Sequence, residues 1–128
     1  MSTPLISVVD DDASVRASTE NLLKSRGYVV QIFASAEALL RSPHLNETSC
    51  VITDVQMSTM SGLELLAEMR TRGYDAPFIF ITAFPNERVR ASALEAGAIG
   101  FLAKPFGGQA LIECLDTALK AHGGRGDI

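Results

Sequence analysis

Five polar side chains end or follow apolar runs, and their types suit the binding of metal ions and phosphate. Asp10 and Asp11 follow the first run, Asp54 follows the third, Thr82 ends the fourth and Lys104 follows the fifth. If folding places these runs side by side, three carboxylates, a hydroxyl and an ammonium group meet. Carboxylate oxygens bind hard cations and act as nucleophiles, and lysine binds phosphate. The set therefore points to phosphoryl chemistry.

The three aspartates would need a cation. Two carboxylates about 4 Å apart repel each other by about 4 kcal/mol at a surface-like dielectric. Oxygen ligands favour Mg²⁺, with Mn²⁺ as an alternative, over zinc, and Mg²⁺ often bridges carboxylates to a phosphate. Lys104 would bind one phosphate oxygen and Thr82 another, while the remaining carboxylate is the nucleophile. Phosphoryl transfer mainly requires positioning and charge neutralisation, which such groups supply.

Short apolar runs alternate with amphipathic segments along the chain, which predicts strands that are each followed by a helix. Such alternation indicates an α/β domain, a parallel sheet covered on both faces. Five units favour a doubly wound, flavodoxin-like (βα)5 fold with strand order 2-1-3-4-5. The predicted strands are 5–9, 29–33, 50–53, 78–82 and 100–103; the predicted helices run from residue 12 or 13 to 27 and over 35–40, 61–72, 86–96 and 107–121; residues 43–49 are a predicted loop.

This fold explains how distant residues would meet. In doubly wound sheets, ligands bind at the carboxyl ends of the strands, near the point between strands one and three where the winding reverses. The four strands nearest that point each deliver a polar residue of the set. The second strand, at the remote edge, ends in Ala34 and Ser35 and delivers none.

Composition and charge argue against nucleic-acid binding and membrane insertion. The net charge of −4 argues against direct binding of nucleic acid. No apolar run reaches the roughly 20 residues of a membrane helix, and no signal peptide is visible, which predicts a cytoplasmic protein. Cys50 and Cys114 lie in apolar surroundings and are predicted to be buried, reduced thiols.

Four segments carry a family resemblance: VVDDDASVR at 8–16, VITDVQM at 51–57, FITA at 80–83 and GFLAKPF at 100–106. In this order, at predicted strand ends, they resemble the signature segments of response-regulator receiver domains of two-component systems. The resemblance covers about residues 5–121, so 1–121 is the predicted receiver domain and 122–128 a flexible tail. FASAEALL and ALEAGAIGFLAKPF resemble the nitrogen-fixation and LuxR-type (FixJ-like) branch.

The resemblance implies a phosphorylation site and a metal site. Asp54 would be the phosphoacceptor. Asp11 would bind Mg²⁺ directly, Asp10 directly or through water, and the backbone carbonyl of Gln56 would complete the protein ligands together with Asp54.

The resemblance also implies a switch. Lys104 would pair with the phosphoryl group, and Thr82 would move to form a hydrogen bond with it. Phe101 matches an aromatic position that turns inward on activation, although an aromatic residue on a strand is more often simply part of the core. Pro105 matches a proline whose preceding peptide is usually cis.

The implied function is a signalling switch rather than an enzyme, apart from Mg²⁺-dependent self-phosphorylation and dephosphorylation. A phosphohistidine of a sensor histidine kinase or a phosphotransfer protein would be the donor. The face formed by the fourth helix, fifth strand and fifth helix would control a partner, an output domain or homodimerisation. Relatives usually carry a C-terminal DNA-binding domain that this chain lacks, so a stand-alone regulator and an excised receiver are equal alternatives.

One position departs from the family. Met57 is followed by Ser58, where the family usually has proline, and the loss of a fixed φ predicts a more mobile loop. This departure bears on how long the phosphoryl group persists. Gln56 and Phe84 occupy positions that, in the family, affect the rate at which the aspartyl phosphate is hydrolysed. Their identities do not give a value for the lifetime of the phosphoryl group.

Two other functions remain as alternatives. The run from Asp10 to Ser14 approximates the start of haloacid-dehalogenase-type phosphatases, with Asp10 as nucleophile and Asp12 as acid. That family needs a further strand with acidic metal ligands after the lysine, and it leaves Asp54 without a role. A flavin carrier would need a phosphate-binding loop where three aspartates stand. Asp12 is in any case predicted to cap the first helix.

Overall fold

Five strands and five α-helices alternate within residues 3–126, the part of the chain that the computed structural model describes; side chains are described through residue 121. None of the helices in this part is long and apolar enough to cross a membrane. The strands are β1 (Leu5–Val9), β2 (Val29–Phe33), β3 (Thr48–Asp54), β4 (Phe78–Thr82) and β5 (Gly100–Ala103); the helices are α1 (Ala13–Ser25), α2 (Ala36–Leu40), α3 (Gly62–Thr71), α4 (Glu87–Glu95) and α5 (Gly108–Gly126), with a 3₁₀ turn at Leu45–Glu47.

The strands form one parallel sheet in the order β2-β1-β3-β4-β5. The predicted flavodoxin-like α/β fold with strand order 2-1-3-4-5 is therefore confirmed. Its winding reverses between β1 and β3, so the carboxyl ends of these two strands open onto a shared crevice.

Two hydrophobic cores cover the two faces of the sheet. Side chains alternate between faces along each strand: Val51 on β3 lies in the core under α2, α3 and α4, whereas Ile52 lies in the core under α1 and α5. Because both faces are covered, β4 is buried along its whole length. The sheet therefore forms a rigid base for the residues at its carboxyl edge.

Local signals define most helix ends. The side chain of Asp12 accepts hydrogen bonds from the amides of Ser14 and Val15, which confirms that Asp12 caps α1. The predicted start of α3 is a capping box, in which Ser61 and Glu64 each bond the other's backbone amide. Gly27, Gly73 and Gly97 follow α1, α3 and α4 with φ between +88° and +103°, a conformation that other residues rarely adopt.

The structure corrects the bounds of two elements. β3 begins at Thr48 rather than at residue 50, because Thr48 pairs with Leu5 and its hydroxyl lies 2.8 Å from that of Ser7. A polar strand start of this kind has no hydrophobic signal in the sequence. Helix α5 continues past the predicted end at residue 121 to Gly126. The last two residues of the predicted tail lie outside the described residues.

Both cysteines are free thiols. Cys50 is fully buried, as predicted, and burial, together with the nearby Cys114, raises the pKa of Cys50 to about 12. Cys114, which was also predicted to be buried, is only partly covered, and its side chain packs against Gly100.

Candidate functional site

The five residues that the sequence singled out stand at the carboxyl edge of the sheet. Asp10 and Asp11 follow β1, Asp54 is the last residue of β3, Thr82 is the last residue of β4 and Lys104 directly follows β5. The parallel register aligns these ends, so residues from four separate segments of the chain reach one crevice.

Three carboxylates converge in this crevice. Asp10, Asp11 and Asp54 each offer one oxygen, and these oxygens all lie within 4.8 Å of one another. Asp10 is fully buried, Asp54 is 6% exposed and Asp11 is exposed. The cluster therefore has a rigid, buried base and one solvent-facing carboxylate.

Lys104 is the cation that faces the two buried carboxylates. Its Nζ lies 2.8 Å from Oδ2 of Asp10 and 2.8 Å from Oδ2 of Asp54. Burial alone lowers the pKa of Lys104, but the close contacts with Asp10 and Asp54 and their negative charges together outweigh it and raise the pKa above its usual value. Lys104 is thus charged at neutral pH.

Backbone amides orient both buried carboxylates. The Asp12 amide donates to Oδ1 of Asp10 over 2.9 Å, and the Gln56 amide donates to Oδ1 of Asp54 over 3.0 Å. The Oδ2 atom of each aspartate consequently faces Lys104 and the crevice. Lys104 is aligned for a hydrogen bond with Asp54, whereas Oδ2 of Asp10 is buried without an aligned donor despite the short contact.

These features fit a hard divalent cation. One lysine leaves the three carboxylates with an excess of negative charge, and a buried oxygen of Asp10 has no aligned hydrogen bond. Mg²⁺ takes oxygen ligands and keeps several waters, which the exposed position of Asp11 allows. Asp10, Asp11 and Asp54 are the side chains that would hold the ion. The backbone of Gln56 lies beside them, and its role as a carbonyl ligand stays a prediction.

The two predicted switch residues lie close to the crevice without bonding to the carboxylates. Thr82 is buried, and its hydroxyl accepts a hydrogen bond from the amide of Phe84 over 3.1 Å. Phe101 is partly buried against the core under α2, α3 and α4. The ends of β4 and β5 are joined by a backbone hydrogen bond, in which the Lys104 amide donates to the Thr82 carbonyl over 2.8 Å. The Lys104–Pro105 peptide is cis, as the resemblance implied.

The loop between β3 and α3, which carries Ser58 in place of the usual proline, contacts neighbouring elements. A hydrogen bond with the Thr59 side chain lowers the pKa of Glu37 on α2. The Gly62 amide donates to the carbonyl of Val55 over 2.8 Å, and a Cβ at Gly62 would collide with the backbone oxygen of Asp54.

Sequence reasoning missed two residues of the site. Gly62 was treated only as part of a helix, although any side chain there would displace the backbone of Asp54. Arg16 was quoted within a motif but given no role, yet its Nη1 donates to the Asp10 carbonyl over 2.6 Å. The available signal for Arg16 was its place one turn into α1, four residues after Asp12.

A groove of about 580 Å³ borders the site between α1 and the segment after β5. Val15 and Leu22 line its α1 side, Pro105 and Phe106 line the opposite side, and Lys104 stands where the groove meets the crevice. The groove thus offers an apolar surface directly beside the acidic cluster.

The geometry disfavours the phosphatase alternative. The Asp12 carboxylate, which would be the acid, is engaged as a helix cap with Ser14 over 2.8 Å. Asp54, which that family would not use, lies in the centre of the cluster.

Comparisons with known proteins identify the family of this chain. The family model described as "Response regulator receiver domain" matches residues 6–116. Transcriptional regulatory protein TdiR of Thauera aromatica is 39% identical over 112 residues, which cover 88% of this chain and 49% of TdiR. Transcriptional regulatory protein FixJ of Azorhizobium caulinodans is 38% identical over 114 residues, covering 89% of this chain and 54% of FixJ. The chain spans about half the length of these curated relatives.

A solved structure shows the same fold. The crystal structure of FixJ-N matches with a TM-score of 0.84 and 33% sequence identity, covering 94% of this chain and 96% of that chain. The similarity to FixJ therefore extends from the sequence to the tertiary structure.

Proposed function

Because the chain belongs to the response regulator receiver domain family, we propose that Asp54 accepts a phosphoryl group in the presence of Mg²⁺ and thereby switches the protein between two states. The observation that carries this proposal is the position of Asp54, which shares Lys104 with Asp10 at the centre of the acidic cluster. Receiver domains are signalling domains, so the reaction modifies the protein itself.

The proposed reaction is an in-line displacement. An oxygen of the Asp54 carboxylate attacks phosphorus, the bond between phosphorus and the donor nitrogen breaks, and the donor histidine leaves with the electron pair. Lys104 moves from the carboxylates to an oxygen of the transferred group and keeps a positive charge beside the new negative one. Asp10, Asp11 and Asp54 would hold Mg²⁺, which would supply positive charge that offsets the negative charge of the incoming phosphoryl group.

A phosphohistidine on a sensor histidine kinase or phosphotransfer protein is the donor that we propose. The donor must reach a crevice in which Asp54 is nearly buried, and the apolar groove along Val15 and Leu22 leads to it past Lys104. The apolar side of a partner helix would suit this groove. Because the proposed donor is a sensor histidine kinase or phosphotransfer protein, the location that we propose for this protein is the cytoplasm.

The switch would act through Thr82 and Phe101. An added phosphoryl group offers acceptor oxygens that the Thr82 hydroxyl can reach by giving up its bond with the Phe84 amide. Phe101 would then turn further inward, and the phosphorylated state would gain population because it binds the new group better.

The face formed by α4, β5 and α5 is the proposed output surface. Leu94 and Ile99 are each 43% exposed there, which supports a face that another surface covers. A second copy of the chain or an output domain is the proposed partner. TdiR and FixJ are named transcriptional regulators, and a DNA-binding output domain would fit the part of their length outside this match.

Intact-mass measurement after incubation with acetyl phosphate and Mg²⁺ tests the proposal. The wild type should gain one phosphoryl group, and Asp54→Asn should gain none. A label that survives Asp54→Asn but disappears in Asp10→Asn would replace this reading with the phosphatase reading. No label on any form would indicate a receiver that acts by protein binding alone.

A further inference from the structure

Each polar atom of Asp10 lies against a polar neighbour, although its Oδ2 has no aligned hydrogen bond. Its amide donates to the Phe33 carbonyl over 3.1 Å, and its Oδ1 accepts from the Asp12 amide over 2.9 Å. Its carbonyl oxygen accepts from Arg16 over 2.6 Å, and its Oδ2 faces Lys104 at 2.8 Å. Arg16 and Lys104 are the side chains in this set, and only Lys104 touches the carboxylate.

Arg16 forms a hydrogen bond with a backbone carbonyl although carboxylates lie nearby, which is unusual for an arginine. Three aspartates precede it closely in the sequence, and a guanidinium binds carboxylates well. Nevertheless, within the described residues Arg16 forms no ion pair and donates to a backbone oxygen. A cation in this position restrains the Asp10–Asp11 peptide without forming an ion pair with the carboxylates that would hold a metal ion.

We propose that Arg16 is a positioning residue for the divalent cation: its bond to the Asp10 carbonyl orients the neighbouring carboxylates and thereby strengthens Mg²⁺ binding. This inference rests on the proposed function, because it assumes that the cluster binds Mg²⁺. The residues that hold metal ligands in place commonly change metal affinity about 10- to 100-fold when they are replaced.

Charge and positioning predict opposite effects, which makes the inference testable. Arg16 carries a positive charge near the cluster, so its removal should tighten Mg²⁺ binding if charge alone mattered. If Arg16 acts by positioning, its removal should weaken Mg²⁺ binding. High salt separates the two effects, since the Debye length is roughly 4 Å at about 0.5 M KCl.

The experiment is a Mg²⁺ titration followed by backbone amide chemical shifts, at low and high KCl, for the wild type and for Arg16→Met. Arg26→Met is the matched control, because it removes the same charge from the exposed C-terminal cap of the same helix. Arg16→Lys keeps the charge but loses the planar guanidinium. The same spectra show whether each variant is folded.

At about 0.5 M KCl, Arg16→Met should bind Mg²⁺ about tenfold more weakly than the wild type, Arg16→Lys should fall between them, and Arg26→Met should match the wild type. Equal or tighter binding by folded Arg16→Met overturns the inference. If Arg16→Met does not fold, Arg16→Lys decides alone, and wild-type affinity in that variant overturns the inference. A folded wild type that binds no Mg²⁺ overturns the metal site itself and the inference with it.

Discussion

At the scale of single residues, the site depends on how one ammonium group is shared. Lys104 faces Oδ2 of both Asp10 and Asp54 at 2.8 Å, and its side chain is only 14% exposed. Water therefore screens the two carboxylates poorly, and the lysine offsets most of their repulsion. Lys104 therefore stabilises the unphosphorylated site, and it is also the residue that is proposed to bind the phosphoryl group.

Lys104→Met should consequently lower the free energy of unfolding without Mg²⁺ by about 3 kcal/mol, because it leaves buried carboxylates unpaired. Added Mg²⁺ should restore more stability to this variant than to the wild type. Urea unfolding at neutral pH with and without Mg²⁺ measures both effects. Lys120→Met is the control, since its ion pair with Asp116 is exposed. Equal stability of the two variants would contradict the prediction.

At the scale of elements, the start of α3 lies directly against the backbone that carries Asp54. A Cβ at Gly62 would collide with the Asp54 carbonyl oxygen and lie 2.9 Å from the ring of Phe80. Neither neighbour can yield easily, since one is backbone and the other is a buried core ring. The glycine therefore allows the helix to approach the strand end.

Gly62→Ala should cost about 2 kcal/mol of unfolding free energy through overpacking. It should also slow phosphorylation by acetyl phosphate, because α3 or the Asp54 backbone must shift. Gly107→Ala is the matched control, as nothing lies within 4 Å of its added Cβ. Denaturant unfolding and intact-mass time courses follow the two effects, and wild-type values for Gly62→Ala would refute the close-approach argument.

At the scale of the whole molecule, the sheet separates two surfaces. β2 forms one edge of the sheet and β5 the other. Exposed apolar residues near the two edges therefore belong to different parts of the protein surface. Leu94 lies on α4 and Ile99 directly precedes β5, while Val29, which is 51% exposed, lies on β2. Only the former pair borders the proposed output surface.

Leu94→Glu should weaken phosphorylation-dependent self-association about tenfold or more, because a buried interface would have to desolvate the new charge. Size-exclusion chromatography with light scattering, before and after acetyl phosphate treatment, reports the association. Val29→Glu places the same charge at the opposite edge and should associate like the wild type. Equal loss in both variants would argue against a specific face.

The sequence alone determined the elements and the composition of the site. Periodicity placed the strands and helices, and Asp12, Gly27, Gly73 and Gly97 marked helix ends. The polar residues at the strand ends identified the cluster of Asp10, Asp11 and Asp54, with Lys104 beside it. These signals are local, because capping, side-chain alternation and glycine conformation depend on near neighbours in the chain.

Only the tertiary structure decided which atoms meet. The closeness of Gly62 to Asp54 and the polar start of β3 at Thr48 both depend on how separate elements approach one another. No local pattern encodes such distances, since the same residue types in a different packing would bond elsewhere. The residue types and their order along the chain therefore predict the kind of chemistry. Packing across the sheet determines which atoms contact one another at the site.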